Sequence, residues 1–177
     1  IHLSFNGEIY NYLELKEELK ASYPFQTNTD TEVIIAAYLK WGMDCLNHFK
    51  GMFAFALLDE NINQLFLARD RFGIKPLYYW HTGNTFQFAS EIKALLANIN
   101  GRVEVNQEGL VEYLTFQNFF TDQTLYNGVK ILPAGNYILL KKSNQQSYKP
   151  KQYWDYCFAE PDDSVEIGKF FGIKMPR

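Results

Sequence analysis

The sequence predicts a layered α+β fold, and three observations carry that reading. Helical apolar spacing is concentrated in the first fifty residues. A block of short apolar and alternating runs follows, between residues 52 and 89. Aromatic residues make up 17% of the chain, and 12 Tyr and 15 Phe suffice to fill a large core or the space between packed sheets. At 177 residues the chain suits one domain or a little more.

The elements follow in order. Residues 1–5 alternate as a strand does, and Asn6-Gly7 reads as the turn that closes it. Asn11 is a helix N-cap with Glu14 three residues on, as in a capping box. Leu15 and Leu19 carry that helix to about residue 23, before Pro24. Thr29-Asp30-Thr31 can cap a second helix, whose apolar face is Val33, Ile34, Ala37 and Tyr38 and whose end is Gly42. A short helix is expected at 44–49. Residues 52–58 are nearly all apolar and predict a strand buried on both faces. After a turn at 61–64, residues 65–68 form the next strand. Residues 77–80 and 85–89 pair as a hairpin around Gly83-Asn84. Ser90 caps a helix over 91–97, and another covers 107–115. Residues 136–141 form a late strand after Pro133-Ala134-Gly135, and 142–151 are polar and loop-like. There is no internal repeat.

The net charge is −3, with both signs mixed along the chain and no basic stripe. That argues against nucleic acid or an anionic membrane as partner. No apolar run approaches the ~18–20 residues of a membrane span. No signal peptide is visible, although Ile1 is not an initiator methionine. Cys45 and Cys157 have neither metal-ligand nor disulfide spacing, which suits a reducing cytoplasm.

Several segments say more than periodicity. They are Phe5-Asn6-Gly7-Glu8-Ile9-Tyr10-Asn11-Tyr12; Asp30-Thr31-Glu32; Gly51-Met52-Phe53-Ala54-Phe55-Ala56; and Ala68-Arg69-Asp70-Arg71-Phe72-Gly73-Ile74-Lys75-Pro76-Leu77-Tyr78-Tyr79. Phe88-Ala89-Ser90-Glu91-Ile92-Lys93-Ala94-Leu95-Leu96 follows, then Leu132-Pro133-Ala134-Gly135 and Tyr153-Trp154-Asp155. In order and spacing they resemble the amino-terminal domain of glutamine-hydrolysing asparagine synthetases, over residues 1–155. Each match is weak alone; in register over more than a hundred residues they are specific. Related class II amidotransferases share the Asn-Gly idea, but the longer segments look like the asparagine synthetase branch.

The resemblance implies an αββα sandwich of antiparallel sheets, the fold of amino-terminal-nucleophile hydrolases. It implies L-glutamine as substrate: an amino-terminal cysteine attacks the side-chain amide, and the ammonia passes to a C-terminal, ATP- and Mg2+-using synthetase domain that converts aspartate to asparagine. No cofactor is expected in this chain itself. A cytoplasmic protein, homodimeric at full length, fits the same picture.

Residue by residue, the resemblance assigns the oxyanion hole to the Asn6 side-chain NH2 and the Gly7 backbone N–H. Such donors are worth ~3–4 kcal/mol each in acyl transfer. The bland alternative is a strand-end turn. Glu8 and Asp30 are assigned to the α-ammonium of glutamine, Glu8 mainly through its backbone carbonyl. For Asp30 the alternative is helix capping, which can coexist with a ligand role; for Glu8 it is a solvated surface acid. Arg69-Asp70-Arg71 reads as a structural salt-bridge network at a strand end. The alternative is a loop, Lys75 included, that faces the synthetase domain. Cys45 reads as a small buried hydrophobe.

The pattern is departed from at both ends. Residue 1 is Ile, and neither the family's Cys-Gly start nor its carboxylate-binding arginine segment is present. The expectation is therefore a domain truncated at its N-terminus, catalytically incompetent alone, with exposed apolar surface and unpaired strand edges. Residues 156–177 read as a linker or tail that departs from the family from 164 on, without the Ser-Gly-Gly loop of a synthetase domain. Two other readings stand beside this one. One is a non-catalytic module that binds glutamine or a partner. The other is the amidotransferase domain of a related amide-forming synthetase.

Overall fold

The computed structural model describes residues 1–83, 85–98, 103–141 and 148–157. Asn84, residues 142–147 and the 164–177 tail lie outside them, and with them part of the expected hairpin turn, the first six residues of the expected 142–151 loop and the departing C-terminus.

The longest strand among the described residues, β2 (Gly51–Asp59), organises the fold. Its sequence alternates large and small apolar residues. Phe53, Phe55 and Leu57 face one way, into a core shared with the helices. Ala54 and Ala56 face the other, into a core shared with a second sheet. That is the two-sided burial the apolar run predicts. Around β2 lies a five-stranded antiparallel sheet, ordered β1 (His2–Ile9), β2, β3 (Gln64–Arg69), β7 (Asn136–Lys141), β8 (Lys151–Gln152). The second sheet has three strands: β5 (Thr85–Ala89), β4 (Tyr78–Thr82) and β6 (Val129–Ile131). Leu77, Tyr79 and Leu132, with Phe86 and Phe88, fill the space between the sheets against Leu67 and Ile138.

Helices α1 (Tyr12–Leu19), α2 (Asp30–Trp41) and α3 (Cys45–His48) cover the outer face of the larger sheet. Their buried residues, Leu15, Leu19, Val33, Ile34, Ala37 and Leu46, pack on the phenylalanines of β2 and on Phe66. Helix α4 (Ile92–Leu96) packs on β4 and β5 through Leu95, and α5 (Gln107–Phe116) follows in the chain, its Gly109 close against the Thr124 carbonyl. The layers therefore run helix, sheet, sheet, helix.

The structure corrects several local readings. Asn6-Gly7 is no turn: β1 runs through it to Ile9, pairing Asn6 with Ala54 and Gly7 with Phe53. Asn11 is at the N-cap position but makes no cap hydrogen bond; its amide donates to the His48 carbonyl (3.0 Å) and its carbonyl accepts from the Lys50 N–H (2.9 Å). The first helix ends at Leu19, with one further turn closed by Tyr23 N–H to the Leu19 carbonyl. Thr29, not Asp30, holds the N-cap of α2, and Glu91 rather than Ser90 precedes α4. The short strands β6 and β8 have no counterpart in the sequence reading.

Large exposed apolar side chains concentrate on α5 and the loop after it: Val111, Leu114, Phe116 and Phe120 are each more than half exposed.

Candidate functional site

Strand β1 lies at the edge of the larger sheet among the described residues, and the expected site is strung along its last third. Gly7 has φ +149°, a conformation that other residues rarely adopt. A methyl group added there would lie 2.7 Å from the Phe53 Cα and closer still to the Met52 carbonyl oxygen. Glycine is thus required twice, by its torsion and by the approach of β2. Across the pair, Gly51 has no room for a side chain either, because its Cβ would strike the Glu8 carbonyl oxygen. The two glycines draw the strands together on both sides of the Glu8 carbonyl.

Residues of one parity on β1 share a direction. The Tyr10 N–H bonds the Lys50 carbonyl (2.7 Å), inward along the sheet. The Ile9 N–H therefore points outward, and it is taken by the Asp30 carboxylate at 3.0 Å. Gly7, two residues back, turns its own N–H to that same open edge. Asn6 has the opposite side-chain parity from Phe5 and Leu3, which pack on the helices. With Ser4, it lines a cavity of about 120 Å³ between the sheets, walled by Ala54, Ala56, Leu77, Phe88, Ala89 and Ser90. The small Ala54 and Ala56, paired with Asn6 and Ser4, leave that space open. No hydrogen-bond partner holds the Asn6 amide among the described residues. The Glu8 side chain is exposed.

Asp30 thus does something that capping does not explain. It is the first residue of α2, half-buried, and it joins that helix to the end of β1. The bond brings Asn6, Gly7, Glu8 and Asp30 to one corner of the molecule. Asn11 reinforces the corner by clamping the α3–β2 connection.

Beside it stands a second polar centre whose shape the sequence did not suggest. Asp70 is fully buried, and its carboxylate accepts four backbone N–H groups: Phe53 (3.2 Å), Phe72 (3.0 Å), Ile74 (3.0 Å) and Lys75 (3.0 Å). The Arg69 guanidinium donates to the carbonyls of Lys75 (2.7 Å), Leu132 (2.7 Å) and Gly73 (2.6 Å). The Tyr153 hydroxyl donates to the Arg69 carbonyl at 2.9 Å, and burial, with Asp70 close by, pushes its pKa up. Burial likewise pulls the Arg69 pKa down, against the pull of Asp70. Among the described residues no ion pair joins Arg69, Asp70 and Arg71, so the expected salt-bridge network is instead a set of bonds to backbone. The Asp70 carbonyl accepts from Gly135, and the Gly135 carbonyl from Tyr153 and Trp154. Three separate sequence markers, at 69–75, 132–135 and 153–154, meet here.

A larger cleft of about 1140 Å³ opens on the other side of the smaller sheet, between Arg69, Phe72, Tyr78 and the 118–126 loop. Cys45 is buried, and burial, then Asp44, pushes its thiol up to about 12. It is a small core hydrophobe and no nucleophile. Among the described residues no three His, Cys, Asp or Glu side chains form a metal site, and no helix is long and apolar enough to cross a membrane.

The fold and sequence both have known counterparts. The chain is 37% identical to asparagine synthetase [glutamine-hydrolyzing] 3 of Bacillus subtilis, over 92% of its own length and 26% of the relative's. It is 38% identical to a putative asparagine synthetase [glutamine-hydrolyzing] 2 of Methanocaldococcus jannaschii, over 91% of its length and 31% of the relative's. It is also 38% identical to the amidase chry2 of Gibberella zeae, over 90% of its length and 23% of the relative's. The chain thus spans between a fifth and a third of these relatives. In structure it is similar to a glutamine phosphoribosylpyrophosphate amidotransferase from B. subtilis, with TM-score 0.59 and 21% identity over 86% of this chain and 29% of that one. That likeness shows the fold alone, two antiparallel sheets packed between helical layers. Residues 1–154 match the glutamine amidotransferase domain family across nearly the whole of the corner just described, its strand and its buried carboxylate, and the chain belongs to that family.

Proposed function

We propose that this chain is the ammonia-supplying part of a longer synthetase that makes asparagine from aspartate, ATP and glutamine. The observation that carries the reading is the end of β1: an unpartnered Asn6 amide lines a small cavity, the next residue, Gly7, turns its N–H to the open sheet edge, and the Asp30 carboxylate stands at the same corner. Two donors on adjacent residues, one of them a glycine with no side chain, suit the oxyanion formed when a carboxamide is attacked. Asp30, with the Glu8 carbonyl, supplies the negative end that the α-ammonium of free glutamine needs. The nucleophile is an amino-terminal cysteine upstream of this chain, because the α-amino group must serve as base. The chain by itself is therefore catalytically incompetent; ammonia release from glutamine by the purified 177-residue chain would overturn that statement. ATP and Mg2+ are used by a C-terminal domain, and the whole acts in the cytoplasm, as a homodimer.

The deciding measurement compares two nitrogen sources in the longer protein. Asn6→Ala lowers glutamine-dependent synthesis roughly 10²–10³-fold and leaves ammonia-dependent synthesis intact. Equal loss of both would make Asn6 a structural residue. A relative of comparable identity is not named an asparagine synthetase, which keeps open a second reading, in which a related synthetase amidates another acceptor. Aspartate-dependent against aspartate-independent ATP turnover separates the two.

A further inference from the structure

Strand β3 ends at Arg69, opposite Ala54, so Phe53 has no strand beside it on that side. Asp70 takes the strand's place. Its N–H donates to the Phe53 carbonyl (2.7 Å), and its carboxylate accepts the Phe53 N–H (3.2 Å). On the other side Phe53 pairs with Gly7, which has φ +149° and lies so close that a Cβ added to it would stand 2.7 Å from the Phe53 Cα. Phe53 is thus the spacer between Asp70 and Gly7.

We infer that Asp70 is a positioning residue for the Gly7 N–H, acting through Phe53. Three of its four N–H partners lie in the 72–75 loop, and these suffice to shape that loop. The fourth, to Phe53, belongs to no turn and ties the loop to β2. A carboxylate is needed because each oxygen serves two donors: Oδ1 takes Phe72 and Ile74, and Oδ2 takes Phe53 and Lys75. An amide would set an NH2 against one of those pairs. A fully buried carboxylate held only by backbone N–H groups is rigid, since any shift leaves charge unsolvated. Phe53, and with it the face on which Gly7 rests, has one position. The link to catalysis rests on the proposed oxyanion role of Gly7; the link from Asp70 to Gly7 does not.

The test is the amide spectrum of the ¹⁵N-labelled 177-residue chain carrying Asp70→Asn. The Gly7 and Phe53 signals move, while Leu3 and Ser4 at the far end of β1 stay. Leu95→Ala, a buried change beneath α4, lowers the melting temperature but leaves Gly7 in place. A folded Asp70→Asn chain with Gly7 unmoved overturns the inference, as does an equal Gly7 shift in Leu95→Ala. Should Asp70→Asn not fold, Lys75→Pro decides, because it removes one donor from Oδ2 and keeps the Asp70 carboxylate. A smaller Gly7 shift supports the inference and none refutes it. In the longer protein, Asp70→Asn lowers kcat with glutamine and leaves KM nearly unchanged. A moved Gly7 signal with unchanged kcat sinks the oxyanion role of Gly7 and leaves the positioning standing.

Discussion

Replacing Gly7 by alanine tests the geometry of the site without any substrate. The new Cβ would lie 2.7 Å from the Phe53 Cα, and the obstacle is backbone that Asp70 holds from behind. Neither side can give way easily. Crowding of this kind costs ~1–3 kcal/mol. The φ of +149° adds a torsional cost of about 1–3 kcal/mol for any residue with a Cβ. Together they amount to roughly 2–6 kcal/mol, a large part of the ~5–15 kcal/mol that stabilises a typical domain. At about 2–4 °C per kcal/mol for a chain this long, the melting temperature falls by roughly 4–24 °C. Gly42→Ala is the reference. Gly42 also has positive φ, +62°, but nothing lies within 4 Å of its missing Cβ, so only the torsional part applies. Thermal melts of the two variants by circular dichroism isolate the steric part. If Gly7→Ala melts no lower than Gly42→Ala, β1 and β2 do not approach as described and the account of the site is wrong.

Further outcomes follow from the same contacts. Asp30→Ala removes the acceptor of the Ile9 N–H and costs ~1–3 kcal/mol in a denaturant melt, whereas Thr29→Ala, with no cap bond to lose, costs under about 0.5 kcal/mol. Under native conditions at pH 8, iodoacetamide labels exposed Cys157 and spares Cys45, whose thiol is held up to about 12; mass spectrometry of the two peptides reads this directly, and rapid native labelling of Cys45 contradicts its burial. Stability falls at alkaline pH. Cys45, with an ordinary value of 9.0, and Tyr38, Tyr79 and Tyr153, each at 10.0, all have raised values in the folded state. Above pH 9 the unfolded chain therefore binds fewer protons than the folded one, and each further rise favours unfolding until the folded thiol titrates near 12. A urea midpoint that is flat from pH 8 to 11 would refute it.

What the sequence made legible was whatever a short window can hold. The run at 52–58 announced a strand buried on both faces because its neighbours on either side are apolar too. The β4–β5 hairpin was legible from the Gly83-Asn84 signal between two short runs. Asn6-Gly7 misled because the dipeptide is a turn signal locally, while eight paired residues of β1 and β2 override it. Asp30 was placed correctly at a helix start, but its partner lies 21 residues away and has no local mark. Arg69 beside Asp70 suggested an ion pair; adjacent residues on an extended chain point apart, and each found backbone instead. Strand β6, three residues long, exists only because Tyr78–Trp80 lies beside it. Its own sequence contains no such instruction.

The open edge of β1 has a cost that is colloidal rather than chemical. Outward N–H groups that a substrate could use are also groups that a foreign strand could use, since a sheet edge templates the next strand wherever it is left bare. Asp30 seals the last of them, at Ile9, and leaves the stretch from Leu3 to Gly7 uncovered among the described residues. The same atoms that would make the domain a catalyst also make it a nucleus for cross-strand assembly. A concentrated preparation of this chain is accordingly expected to draw β-forming peptides to that edge first, ahead of the apolar helix α5.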